Sequence, residues 1–155
     1  MPVQGDLEVD AELLSAFTSS LQQANVELHF HSGPWDGLQL ADQATDAKAD
    51  LLLTSETTYS LSGVQSLVDV VERLSHSQES KQGPTTRTTT TTLISTKDYY
   101  FGLGGGLVAL RQVLNERDAR PSTAKLAGRS QLDTVAQFKR GVARSVLSLS
   151  FDSTS

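Results

Sequence analysis

The groups best placed to do chemistry lie in ten residues, Asp50–Tyr59, which read Asp-Leu-Leu-Leu-Thr-Ser-Glu-Thr-Thr-Tyr. An uninterrupted apolar run opens there into hydroxyls, one carboxylate and one phenol. Leu51, Leu52 and Leu53 are apolar on both faces of an extended segment, which predicts a central parallel strand covered by helices on each side. Loops at the carboxyl ends of such strands are where open α/β sheets gather their ligands. Glu56 and Tyr59 therefore stand just outside the predicted sheet edge. A strand-to-helix turn with solvated polar side chains fits the same letters.

Other residues offer weaker chemistry. His29 and His31 share one face of a predicted strand at i, i+2, the spacing of a metal pair, but no third ligand lies near them in sequence. Ordinary strand histidines are the better reading, and His76 sits in a polar stretch. The glycines at 102, 104, 105 and 106 precede a predicted helix. They let a ligand or another backbone approach closely, or they only turn the chain and expose helix amides. The pattern is neither a Walker A loop nor G-x-G-x-x-G, so no phosphate site is assigned.

The elements that must position these groups follow from periodicity. Leu14, Phe17 and Leu21 at helical spacing predict a helix over 10–24, with Asp10 as N-cap and Glu12 in the first turn. Val26–His31 alternates strictly and predicts a strand closed by the turn Gly33-Pro34-Trp35-Asp36-Gly37. Residues 41–48 read as loop, and the strand Asp50–Thr54 follows. Ser62 and Gln65 form a capping box for a helix whose stripe is Val64, Leu67, Val68, Val71 and Leu74. Residues 75–87 read as an exposed loop, and a threonine-rich strand lies within Thr88–Thr96. A helix carries Leu107, Leu110 and Leu114, with Pro121 beyond its end. A short strand near Thr123–Ala127, a polar helix or loop at 130–140 and a last alternating strand over Ala143–Phe151 complete the order. This is an α/β layer fold.

Composition narrows the function. The 155 residues carry a formal charge of −5 and no basic block, which disfavours a nonspecific nucleic-acid or anionic-membrane binder. With no cysteine there is no disulfide framework, thiolate metal site or cysteine nucleophile. No apolar run approaches a membrane span, and the N-terminal residues lack the pattern of a signal peptide. A single soluble intracellular domain spanning 1–155 is the expectation.

Two segments together are more specific. Lys-x-x-Tyr-Phe-Gly-Leu-Gly-Gly-Gly at 97–106, downstream of Leu-Leu-Thr-Ser-Glu-Thr-x-Tyr at 52–59, resembles the protein-histidine methyltransferase family, S-adenosylmethionine enzymes of the seven-strand Rossmann-like class. Phe30-His31-Ser32-Gly33-Pro34-Trp35 looks like the family's strand and Ser-Gly-x-Trp turn, and Asn115-Glu116-Arg117-Asp118 matches the Glu-Arg-Asp that ends its helix after the glycines. The match covers about residues 26–118 and the last strand. It implies a mostly parallel Rossmann-like sheet with an antiparallel final strand, S-adenosyl-L-methionine as cofactor, and a protein substrate, in the family a ribosomal-protein histidine. It further implies no direct nucleic-acid or membrane partner and a cytoplasmic or nuclear location.

The resemblance also assigns residues. Trp35 matches the position beside the adenine, where an indole stacks on a flat base; Asp36 is placed to accept from the adenine amino group, or is a solvated turn residue. Thr54 and Ser55 fall on the cofactor side. Glu56 and Tyr59 match the acidic-x-x-Tyr element of the substrate pocket, where a carboxylate holding the imidazole N–H fixes its tautomer and an aromatic face meets the cation formed by methylation. Tyr100 and Phe101 line the pocket or pack the glycine turn, with packing favoured. The family's acidic glycine-rich loop after the first strand, and the acidic residue after the second, have no counterpart here. The chain thus resembles the C-terminal portion of the domain, without about two strands and their helices. Two alternatives stay open: a non-catalytic remnant or binding module, and a methyltransferase acting on lysine or a small amine.

Overall fold

The computed structural model describes residues 9–30, 32–35, 49–75, 90–121 and 128–152. Expectations for Asp36 and Gly37, for 41–48, for 76–87, including His76, and for Thr123–Ala127 fall outside these residues. The chain divides into two compact units, Met1–Ser32 and Gly33–Ser155.

The first unit holds α1 (Ala11–Gln23). Asp10 caps it as expected, its Oδ1 accepting from the Leu13 N–H at 2.8 Å. At the other end Asn25 adopts a left-handed φ of 52°. Its N–H donates to the Gln22 carbonyl at 3.1 Å and that of Val26 to the Leu21 carbonyl at 2.9 Å, the paired bonds of a Schellman stop. The strand expected at Val26–His31 is not formed over 26–30, which belong to no ladder, and His31 is outside the described residues. Alternation shows which face a strand would bury, but a strand also needs a neighbour for its N–H and C=O groups.

The second unit runs β1 (Leu51–Ser55), α2 (Leu61–Ser75), β2 (Thr91–Lys97), α3 (Leu107–Asp118), β3 (Ser130–Phe138) and β4 (Arg144–Phe151). The sheet order is β1-β2-β4-β3. β1 and β2 are parallel, joined by α2, with Leu53 opposite Leu93; β4 is antiparallel to both β2 and β3. The antiparallel last strand was expected. A mostly parallel sheet was not found among the described residues, where one pairing of three is parallel.

Residues 130–140, expected as helix or loop, form β3 over Ser130–Phe138 instead. Its alternation is hidden by a register shift between Thr134 and Ala136 and by exposure along much of its length. A hairpin turn through Gly141, at φ 76°, returns it to β4, so tertiary pairing overrides a weak local pattern.

The core lies on one face of the sheet. Val64, Leu67, Val68 and Val71 of α2 and Leu110, Val113 and Leu114 of α3 close over Ile94, Leu147 and Leu149, all buried. The helix cap is Ser60, whose Oγ accepts from the Gly63 N–H at 3.2 Å, rather than the Ser62–Gln65 box. Leu51 and Leu53 correct the expectation of a strand buried on both faces. They are 54% and 69% exposed because β1 is the edge strand and α2 and α3 cover the face that carries Leu52.

Arg117 locks the layers together. It is 2% exposed and pairs with Glu72 of α2 at 2.5 Å and with Asp118 at 2.7 Å. It also donates to the Gly128 carbonyl at 2.8 Å, and its guanidinium lies 4.5 Å from the centre of the Phe151 ring. Asp118 accepts from the Ser130 hydroxyl at 2.7 Å. Arg117 and Asp118 of the Glu-Arg-Asp segment noted in the sequence thus join α2, α3 and the start of β3, while Glu116 is exposed.

Candidate functional site

β1 and β2 end on the same sheet edge, and Glu56 stands on it. Its N–H still donates to the Ser95 carbonyl at 3.0 Å, but its φ of 56° turns the chain out of the strand. A left-handed non-glycine residue carries strain that persists only where surrounding contacts hold it. Those contacts are on the carboxylate: Oε2 accepts from the Tyr100 hydroxyl at 2.8 Å and meets Lys97 Nζ at 3.1 Å, and Oε1 meets Arg144 Nε at 3.3 Å. Lys97 also lies 4.8 Å from the centre of the Tyr100 ring.

The electrostatic result is an ionised carboxylate. The Tyr100 hydrogen bond, aided by Lys97 and Arg144, holds Glu56 below the usual carboxylate range, although desolvation opposes it more than the hydrogen bond of either cation assists. Burial, and then the negative Glu56, push the Tyr100 phenol up. Glu56 remains 40% exposed at its side chain. A carboxylate has about four acceptor positions, so with three partners among the described residues one position on Oε1 is left for a further donor.

The two signature segments interlock directly behind this carboxylate. The Gly106 N–H donates to the Thr58 carbonyl at 2.7 Å, Ser60 and Gly104 form an antiparallel bridge, and the hydroxyls of Thr58 and Thr96 are hydrogen-bonded. A Cβ on Gly105 would lie 2.1 Å from the Thr58 carbonyl oxygen and 2.3 Å from the Tyr59 carbonyl carbon. Close approach of another backbone is realised at Gly105, while Gly102 and Gly104, at φ 75° and 71° with open space around them, turn the chain.

The remaining sequence candidates spread out. Tyr59 is 52% exposed, and the phenol on Glu56 belongs to Tyr100 instead, against the favoured expectation that Tyr100 packs the glycine turn. Phe101 is 82% exposed and meets Tyr99 edge to face at 4.6 Å. Thr54 bonds to the Thr57 hydroxyl; with Ser55 it borders a recess of about 270 Å³ lined also by Leu53, Leu93, Ser95 and Val146. Trp35 is half-exposed in the turn after Gly33, whose φ is 127°. His29 pairs with Glu27 at 3.0 Å, and the described residues hold no group of three or more metal-ligating side chains. Tyr100 was weighed as a pocket residue but read as packing, and Arg144 was missed because it lies 88 residues from Glu56, beyond any local pattern.

No family model matches the chain. The chain is similar to Histidine protein methyltransferase 1 of Schizosaccharomyces pombe, with 28% identity over 124 residues. The similarity takes in 78% of this chain and 33% of that protein, so the chain spans about a third of its relative's length. The α/β sheet described above is consistent with part of a methyltransferase-like fold. No helix among the described residues is long and apolar enough to cross a membrane.

Proposed function

We propose that the chain forms the acceptor side of an S-adenosylmethionine-dependent protein methyltransferase whose target is a histidine. The observation that carries this is the ionised Glu56 at the carboxyl end of β1, held where the two segments that resemble the family interlock. Similarity to the S. pombe enzyme supports the methyltransferase class.

At neutral pH an imidazole is mostly uncharged, with one N–H and one lone pair. The open position of Glu56 Oε1 accepts that N–H, which fixes the tautomer and directs the other nitrogen outward. Charge that develops on the ring during methylation is met by the same carboxylate. Tyr100, Lys97 and Arg144 keep Glu56 deprotonated and fixed in place. A ribosomal-protein histidine, the target implied by the family resemblance, and a cytoplasmic or nuclear setting belong to this proposal.

S-adenosylmethionine supplies an electrophilic methyl group when bound. The described residues fit only part of it: the Trp35 indole for stacking and the Thr54 and Ser55 hydroxyls for hydrogen bonds. Glu56 is already committed to two cations and a phenol, which leaves the cofactor's ribose and ammonium without an assigned carboxylate on this edge. No further step is therefore assigned to it here.

The test uses a chimera in which this chain replaces the matched third of the S. pombe protein. Glu56→Ala should lower kcat ~100-fold, or ~3 kcal/mol, with little change in S-adenosylhomocysteine affinity by titration calorimetry. Equal turnover by parent and variant would remove Glu56 from the mechanism.

A further inference from the structure

The same sheet edge carries more positive charge than the proposed chemistry uses. Lys97 ends β2 and lies opposite Arg144, which starts β4 and lies opposite Phe138 at the end of β3. Lys139 and Arg140 follow in the exposed hairpin tip, which turns at Gly141. The Asp98 N–H donates to the Ala143 carbonyl at 3.1 Å, tying this hairpin to the loop after β2. Four of the chain's 13 lysines and arginines thus meet at one end of the sheet. Setting the carboxylates of Glu56 and Asp98 against those four cations leaves a formal +2 in a chain of −5. Phe138 and Val142, at 58% and 53% exposed, add apolar surface among the charges.

We infer that the β3–β4 hairpin tip, with Lys139 and Arg140, is a docking surface for an acidic segment of the protein substrate next to the residue to be methylated. The inference rests on the acceptor-side reading, because it is Glu56 that makes this edge the place where substrate arrives. An acidic peptide is favoured over nucleic acid by the charge balance. A surplus of two charges matches a short acidic run, whereas a long polyanion would also meet the net charge of −7 left over the rest of the chain. Exposed aromatic and aliphatic side chains beside arginine are the usual composition of a protein-binding patch. The surface would select acceptors by their flanking sequence, through association rate and register more than through tight binding.

The test is fluorescence anisotropy of the full 155-residue chain with a labelled short peptide that carries an acidic run beside one histidine. The acidic peptide should bind with an affinity that falls as salt rises. Its glutamine and asparagine counterpart should bind on the order of tenfold more weakly, and Lys139→Glu/Arg140→Glu should lose a similar factor with an unchanged unfolding transition. If that double variant unfolds, Lys139→Gln/Arg140→Gln decides by the same readout. Equal affinity for the two peptides, unaltered binding by the folded variant, or preference for an RNA oligonucleotide of equal length would each overturn the inference. The assay contains no methyl transfer. Failure of docking with methylhistidine still formed by the chimera would sink only the docking surface, and docking with methyl transfer directed to lysine would sink only the histidine reading.

Discussion

At the scale of single residues, Glu56 joins three features that are uncommon apart and informative together: left-handed backbone, an ionised carboxylate and two cationic partners. Its role predicts a pH dependence. Because its pKa is lowered on folding, Glu56 contributes stability that is present above its ordinary value of about 4.5 and is lost as pH falls through the folded value. Tyr100 is raised, so its contribution is present below about pH 10 and is lost as pH rises through its folded value. Glu56→Gln should therefore be less stable than the parent at pH 7, with the gap closing on acidification. Urea unfolding across pH checks this, and a gap that stays constant down to pH 3 would contradict it. The carboxylate itself was legible in the sequence, since an apolar run opening into Glu56 marks a strand end. Lys97 and Tyr100 stood in the segment at 97–106 with nothing local to aim them at Glu56, and Arg144 left no trace at all, 88 residues away.

At the scale of elements, the helices with a wide apolar stripe were readable, and the strands where an apolar run, β-branched threonines or alternation marked them. The stripes of α2 and α3 became the buried face of the sheet. The edge position and bulge of β3 erased its period, and Val26–Phe30 kept the period without a partner to make it a strand. The glycines show the same division. Their clustering signalled a close approach, but only the fold shows that Thr58 and Tyr59 make it. Gly105→Ala should cost at least about 2 kcal/mol, because its Cβ meets backbone that has no rotamer to change. Gly102→Ala, with open space around it but φ 75°, should cost only about 1 kcal/mol. Equal losses for the two in urea denaturation would show that the segments are not interlocked as described.

At the scale of the whole molecule, β1 stands at the sheet edge without a charged side chain, and Leu51 and Leu53 are exposed. Uncharged apolar edges template association between chains. The isolated chain should self-associate, and Leu53→Lys should return it to a monomer in sedimentation velocity; a parent that is monomeric at all concentrations would refute this. The sequence had marked the three leucines as buried on both faces, since composition cannot distinguish a central strand from an edge strand whose outer face is open.

The central claim is that this chain sets the acceptor of a methyltransferase and that the acceptor is histidine. Its most direct test is the identity of the amino acid labelled when the chimera is given tritiated S-adenosylmethionine and a protein extract, read after acid hydrolysis. Label recovered as methylhistidine, and abolished by Glu56→Ala, is the predicted result. Label recovered as methyllysine, or no label from a chimera that binds S-adenosylhomocysteine, would contradict the account.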